Sequence, residues 1–363
     1  MPFTLRRSLA ALTLALLPVV AATAPALAKG TTAIQGYVAP PYWAAYTRDG
    51  VALLTYARVP SESLGTAGGP KGSETDVAVG VHLVTRQGGT GKGLVTLPKG
   101  EAVLAVAASE TGLVVTAGPL VDLVPGTSAS AHPWQLIVAG LDGRQRTVWS
   151  YRPGGTLEAP PAVAAAGGRW AAVTQAARPK APPTEAVLAE GSLAQSTRAR
   201  PFTARSEMLP MAVAVAPDGK VALYDFEYAG ASLRAPRFGP SAHVALVWTG
   251  HGTIVPAPGG FLAVEGTSVE RPEAGGRSIP VGSLPKGTSV VSVSGDGQSV
   301  VLLLATRKHG LTTWAIGPAP KALDAILAID PSALFLTSAG VVGVTLDVHG
   351  RIVTVRYAAA GGA

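Results

Sequence analysis

The chain is punctuated by pairs of turn residues, each set between two short apolar runs. Asp49-Gly50 lies within residues 43–57, Thr111-Gly112 within 103–117 and Gly167-Gly168 within 161–176. Asp218-Gly219 lies within 211–226, Gly259-Gly260 within 254–266, Asp296-Gly297 within 290–305 and Pro331-Ser332 within 326–339. Asp-Gly and Gly-Gly reverse two antiparallel strands tightly, because the central residues of such turns need positive φ. The flanking runs, rich in Val, Leu, Ala and Thr, read as strands. The chain therefore reads as seven strand–turn–strand units.

The spacing between successive turns shrinks along the chain, as expected of a repeat protein with long insertions in its early units. A second strand pair follows several units. It is 134–139 with 146–151 around Asp142-Gly143 in the second, and 341–347 with 351–357 around His349-Gly350 in the last. In the sixth unit it is 311–316 with a weak edge strand near Lys321. Four strands per repeat is the blade of a β-propeller. The expected fold is all-β, a β-propeller of about seven four-stranded blades, with six or eight also compatible with the spacing. The competing architecture is a pair of β-sandwich domains divided near Arg205. The best helical stretch is 184–195, short and interrupted by Gly191.

Two units resemble known repeats. Leu136 to Gly155, reading LIVAGLDGRQRTVWSYRPGG, resembles the repeat of quinoprotein-type propellers. Val213 to Lys220, reading VAVAPDGK, resembles the strand–turn of WD-repeat-like and lactonase-like propellers. The resemblance covers two of seven units and concerns the fold; function resides in sites grafted onto folds. It implies one enzymatic alternative, an exported quinone-dependent dehydrogenase with calcium, or a lactonase-like or glycan-cleaving hydrolase. Against the quinone reading, the chain has no Asn to join carboxylates at calcium. Its tryptophans, Trp43, Trp134, Trp149, Trp170, Trp248 and Trp314, recur about once per unit. That reads more simply as packing between blades.

The N-terminus sets the expected compartment. Arg6 and Arg7 precede an apolar stretch, and Ala26-Leu27-Ala28 is a small-x-small cleavage site. This is the pattern of a secretory signal, with residues 1–28 as leader and 29–363 as a single propeller domain. The arginine pair also allows twin-arginine export. The expected location is periplasmic or extracellular. With no cysteine in the chain, disulfides, thiolate nucleophiles and Cys-based zinc sites are excluded. The formal charge of +7 falls to +5 without the two leader arginines. This mild basic excess favours acidic envelope polymers or lipid headgroups over nucleic acid. The expected partner is a protein or an envelope polysaccharide, with peripheral membrane contact allowed.

The long connections are the natural place for binding. Those expected on one face are 61–75, 118–133, 178–205 and 228–243, with shorter ones at 267–276 and 307–310. Several are basic. Arg198, Arg200, Arg234, Arg237, His243, Arg307, Lys308 and His309 are the candidate ligand-binding residues, poised for an anion if they share a rim. A solvated basic surface is the plainer reading. His243 and His251 give a weak metal hint, and no H-x-H or H-E-x-x-H pair occurs. Asp225 and Glu227 flank Phe226 and would share a strand face, as an acid–base pair, a calcium ligand pair or a solvated edge. No G-x-S-x-G elbow is present. No catalytic residue and no obligatory cofactor is expected, calcium alone being left open. The function expected is therefore a non-catalytic binding or scaffolding propeller of the bacterial envelope.

Overall fold

The turn pairs do reverse the chain, and the bonds that fix them are local. Asp218 Oδ1 accepts the N–H of Lys220 at 3.0 Å, and Asp296 Oδ1 accepts those of Gln298 at 2.8 Å and Ser299 at 2.7 Å. Such side-chain-to-backbone bonds two residues on are why Asp opens tight turns. Gly167 and Gly168 both have positive φ, 54° and 79°, the pair of values a two-residue hairpin turn requires. A computed structural model describes residues 31–35, 43–64, 72–85, 92–120, 133–151, 160–176, 185–194, 199, 202–205, 212–224, 244–246, 253–273, 277–307, 310–317, 326–337, 340–349 and 352–359.

In chain order, β1 (Thr31–Gln35) comes first but joins the last sheet. The first sheet holds β2 (Ala44–Thr47), β3 (Gly50–Pro60), β4 (Glu74–Thr85) and β5 (Lys92–Thr96). The second holds β6 (Glu101–Ser109), β7 (Gly112–Pro119), β8 (Trp134–Gly140) and β9 (Gln145–Tyr151). The third holds β10 (Ala162–Ala166), β11 (Arg169–Ala176), β12 (Glu185–Ser192) and β13 (Phe202–Arg205). The fourth holds β14 (Ala212–Val215), β15 (Val221–Tyr224) and β16 (Val244–Leu246). The fifth holds β17 (Thr253–Ala257), β18 (Gly260–Glu265), β19 (Ser268–Glu273) and β20 (Arg277–Ser283). The sixth holds β21 (Thr288–Gly295), β22 (Val300–Thr306) and β23 (Gly310–Ile316). The seventh holds β24 (Ala333–Thr337), β25 (Gly340–His349), β26 (Ile352–Ala359) and β1 as its outer strand.

The sheets stand in a closed circuit, because each shares a buried apolar cluster with the next. Val81 and Leu94 meet Val115 and Ile137 between the first and second sheets. Val138 and Val148 meet Trp170 and Ala189 between the second and third, and Val173 and Leu188 meet Val213 and Leu223 between the third and fourth. Ala222 meets Phe261 between the fourth and fifth, Leu262 meets Leu302 between the fifth and sixth, and Leu303 meets Leu334 between the sixth and seventh. Val51 and Leu53 meet Val342 and Val355 between the first and seventh, which closes the ring. Second strands are buried on both faces, as in β7 and the first five residues of β22, which accounts for their unbroken apolar sequence. Seven sheets in such a circuit form a β-propeller, and the paired-sandwich alternative is excluded by it.

Three expectations are corrected. Residues 185–192 form strand β12, not a helix: Leu188 points into the cluster facing the fourth sheet and Ala189 into that facing the second. A strand clad on both faces has a continuous apolar run, which periodicity alone does not separate from helix. Residues 326–330 are not the first strand of the last unit. Ile329 and Asp330 donate back to the carbonyls of Ile326 and Leu327 at 3.2 and 3.0 Å, forming a helical turn. Ile326, fully buried, sits where Gly343 has no side chain; a Cβ there would lie 2.4 Å from its Cγ2. The fourth strand of that sheet is β1, paired antiparallel to β26 from Thr31↔Arg356 to Gln35↔Ile352. In the fourth sheet β16 runs parallel to β15. A parallel pair cannot be joined by a tight hairpin.

Candidate functional site

The ring axis is the first place to look. First strands of neighbouring sheets contact one another around the circuit, which puts them innermost. These strands are built from small or apolar residues: AAYT in β2, AVAAA in β10, AVAV in β14, TSVVSVSG in β21. Glu101 in β6 is the one Asp, Glu, Lys, Arg or His among the seven innermost strands. Serines of β21 bind the next blade: Ser292 Oγ accepts the N–H of Leu334 at 3.2 Å, and Ser294 Oγ that of Leu336 at 2.8 Å. The inner polar groups of β21 thus serve blade-to-blade cohesion. Among the described residues no three His, Asp or Glu side chains come together as a metal site.

The first-hairpin turns crowd together at one end of the ring. Pro217, in the first turn of the fourth sheet, lies against Gly167 of the third sheet; a Cβ on Gly167 would stand 2.5 Å from the Pro217 ring. A Cβ on Gly297, in the sixth sheet, would stand 3.3 Å from the same ring, so the turns of the fourth and sixth sheets also approach each other. At the other end the chain makes its long second-to-third connections, between β3 and β4, β7 and β8, and β11 and β12.

At the tight-turn end is a cavity of about 260 Å³ between the third and fourth sheets. Arg169 and Glu190 line it from β11 and β12, Asp218 and Gly219 from the turn of the fourth sheet, with Val215 and Gly191 among the walls. Arg169 pairs in register with Ser192, and Ala171 with Glu190, so Arg169 and Glu190 are diagonal neighbours on one sheet face. Ala171 packs toward the fourth sheet, so both charges face it. Lys220 is 2.8 Å from Asp218 Oδ2, and its hydrogen bonds hold the Asp218 carboxyl below the usual aspartate range.

Arg307 is the one sequence-derived basic candidate among the described residues. Arg307 is exposed in the turn between β22 and β23. Arg198, Arg200, Arg234, Arg237, His243, Lys308 and His309 lie outside the described residues, as do Asp225, Glu227, His251 and Lys321. By sequence Arg198 and Arg200 fall between β12 and β13, a third-to-fourth-strand connection, whereas Arg307 lies in a second-to-third connection. In an antiparallel sheet these connections are at opposite ends. The single loops expected over 178–205 and 267–276 are broken by β12 and β13, and by β19. The shared basic rim remains an expectation carried by residues outside the described ones. Sequence reasoning missed Arg169 and Glu190 because each is one isolated charge on its own strand; only the register brings them together.

His82, half-buried in β4, has its Nδ1 3.3 Å from Thr55 Oγ1, and burial lowers its pKa below the usual histidine value of 6.5. The unfolded chain then takes up the proton more readily than the folded one. His82 therefore costs no stability above pH 6.5, and stability falls as pH drops from 6.5 through the lower folded value. Urea unfolding at pH 7.5 and 5.5 is expected to show a smaller loss for His82→Gln than for the parent. An equal loss in both proteins would remove His82 as the cause.

No helix among the described residues is long and apolar enough to cross a membrane. No protein-family model matches the sequence, and no curated protein matches it. Among solved structures, the chain is similar to the β-propeller domain of Myceliophteria thermophila Cps50 (Swd1), at 11% identity and TM-score 0.38, covering 86% of this chain and 94% of that one. It is similar to TolB from Acinetobacter baumannii at 12% identity and TM-score 0.33, covering 88% and 79%. It is similar to the WD40 repeats of RRP9 at 10% identity and TM-score 0.33, covering 87% and 99%. The ring of sheets and its shared clusters carry the fold assignment: the chain is a β-propeller in architecture.

Proposed function

We propose that this chain is an exported, non-catalytic propeller of the bacterial cell envelope that holds a protein or a glycan on the face bearing its long connections. The observation carrying this reading is the asymmetry of the ring. One end has tight turns; the other receives the connections 61–73, 120–133 and 177–184. Long connections on a rigid scaffold are a common way to build a binding surface. The innermost strands, small and nearly free of charge, favour a scaffold over a reaction chamber. Export is supported by the leader pattern and by the place of β1. Cleavage after Ala28 would leave the strand starting at Thr31 intact.

The test uses the full chain and variants in which 61–73 or 120–133 is replaced by a short Gly-Ser bridge. Both are presented with purified envelope polysaccharide and with cross-linked native envelope. The expected result is saturable retention by the parent, lost in at least one replaced variant that keeps its melting temperature. Retention unchanged in both variants, or turnover of a sugar or lactone by the pure protein, would overturn the reading. N-terminal sequencing of protein recovered from the envelope is expected to begin at Lys29.

A further inference from the structure

The cavity between the third and fourth sheets holds an unusual pair of charges. The Arg169 guanidinium and the Glu190 carboxylate line the same space from adjacent strands. Diagonal neighbours of this length are able to reach one another. Yet neither side chain is engaged in an ion pair among the described residues, and each borders the open volume instead. The third charged group on the wall, Asp218, is already occupied by Lys220 at 2.8 Å. What remains is one donor fork and one acceptor, of opposite sign, across about 260 Å³. At ~30 Å³ per water that is room for roughly nine waters, the size of a small metabolite and too small for a folded partner.

We infer that this cavity binds a small zwitterion carrying an ammonium and a carboxylate on one carbon, a free α-amino acid. Arg169 presents paired N–H donors to the carboxylate, the geometry in which guanidinium recognises that group. Glu190 accepts from the ammonium. A simple anion would meet Glu190 as a like charge, and a simple cation would meet Arg169. Neither satisfies both walls. Gly219 keeps its part of the wall free of a side chain: a Cβ there would find nothing within 4 Å. The site lies at the tight-turn end, away from the long connections, so its failure would leave the envelope-binding reading untouched.

The test is isothermal titration of the full chain with L-alanine, and separately with acetate and with methylamine. Saturable one-to-one binding of L-alanine is expected, with a dissociation constant on the order of 1 mM or tighter. Acetate and methylamine are expected to bind at least tenfold more weakly. Arg169→Ala and Glu190→Gln should each weaken L-alanine binding at least tenfold. Since Arg169 is exposed and Glu190 only half-buried, both variants should melt with the parent. Absence of saturable binding, equal binding of acetate or methylamine, or affinity unaffected by either variant would overturn the proposal.

Discussion

Deletion of Thr31–Gln35 is expected to destabilise the whole ring, although it removes one short outer strand. β1 pairs with β26 over five residues, and β26 borders the seam where the first and last sheets share Val342, Val344 and Val355 with Tyr46, Val51 and Leu53. About five backbone hydrogen bonds at ~0.5–1.5 kcal/mol net each give a loss of about 3–6 kcal/mol. For a domain of this size the melting temperature should fall by on the order of 10 °C. The deletion also bares β26 as an edge, and self-association through it is expected. A peptide spanning 29–37, added in trans, should restore both stability and the monomer. The milder variant Ile34→Pro removes a ladder donor and should show part of the loss. A deletion protein that melts within ~1 °C of the parent, a shift under about 1 kcal/mol, would show that β1 contributes no closure.

The second large effect is expected at Trp170. Its side chain is 2% exposed and packs against Val114, Leu136, Val138 and Val148 of the second sheet. Opposite it in register is Gly191, where a Cβ would lie 2.9 Å from the indole. The glycine leaves the indole its space. Trp170→Ala empties that space and should cost about 3–5 kcal/mol. Gly191→Ala overfills it and should cost about 1–3 kcal/mol. The double variant places a methyl group where the ring was, so its cost should be less than the sum by at least ~0.5 kcal/mol. Urea midpoints of the four proteins measure this directly. Strict additivity would mean that Trp170 and Gly191 do not share a packing site.

Legibility differed from element to element for physical reasons. Six of the seven turn pairs sit at the first hairpin of a sheet, because positive φ and Asp side-chain bonds are properties of two or three adjacent residues. The seventh, Pro331-Ser332, lies before β24 rather than inside a hairpin. The helical turn at 326–330 is held by Thr345, whose hydroxyl donates to the carbonyls of Ile329 and Asp330 at 2.9 and 3.0 Å, a residue of the following strand. Residues 185–192 read as a helix candidate because their neighbours in the second and fourth sheets are invisible in the local pattern.

Local chemistry in the chain determined that there would be many short strands, where most of them reverse, and that they would group as propeller blades. Those features depend on backbone preferences over a few residues, which a sequence states openly. The tertiary structure alone decided that β1 completes the last sheet, that Pro217 meets the turns of the third and sixth sheets, and that Arg169 and Glu190 face one cavity. Each of these joins groups separated along the chain, and their meeting depends on strand register and sheet order, which no local pattern encodes.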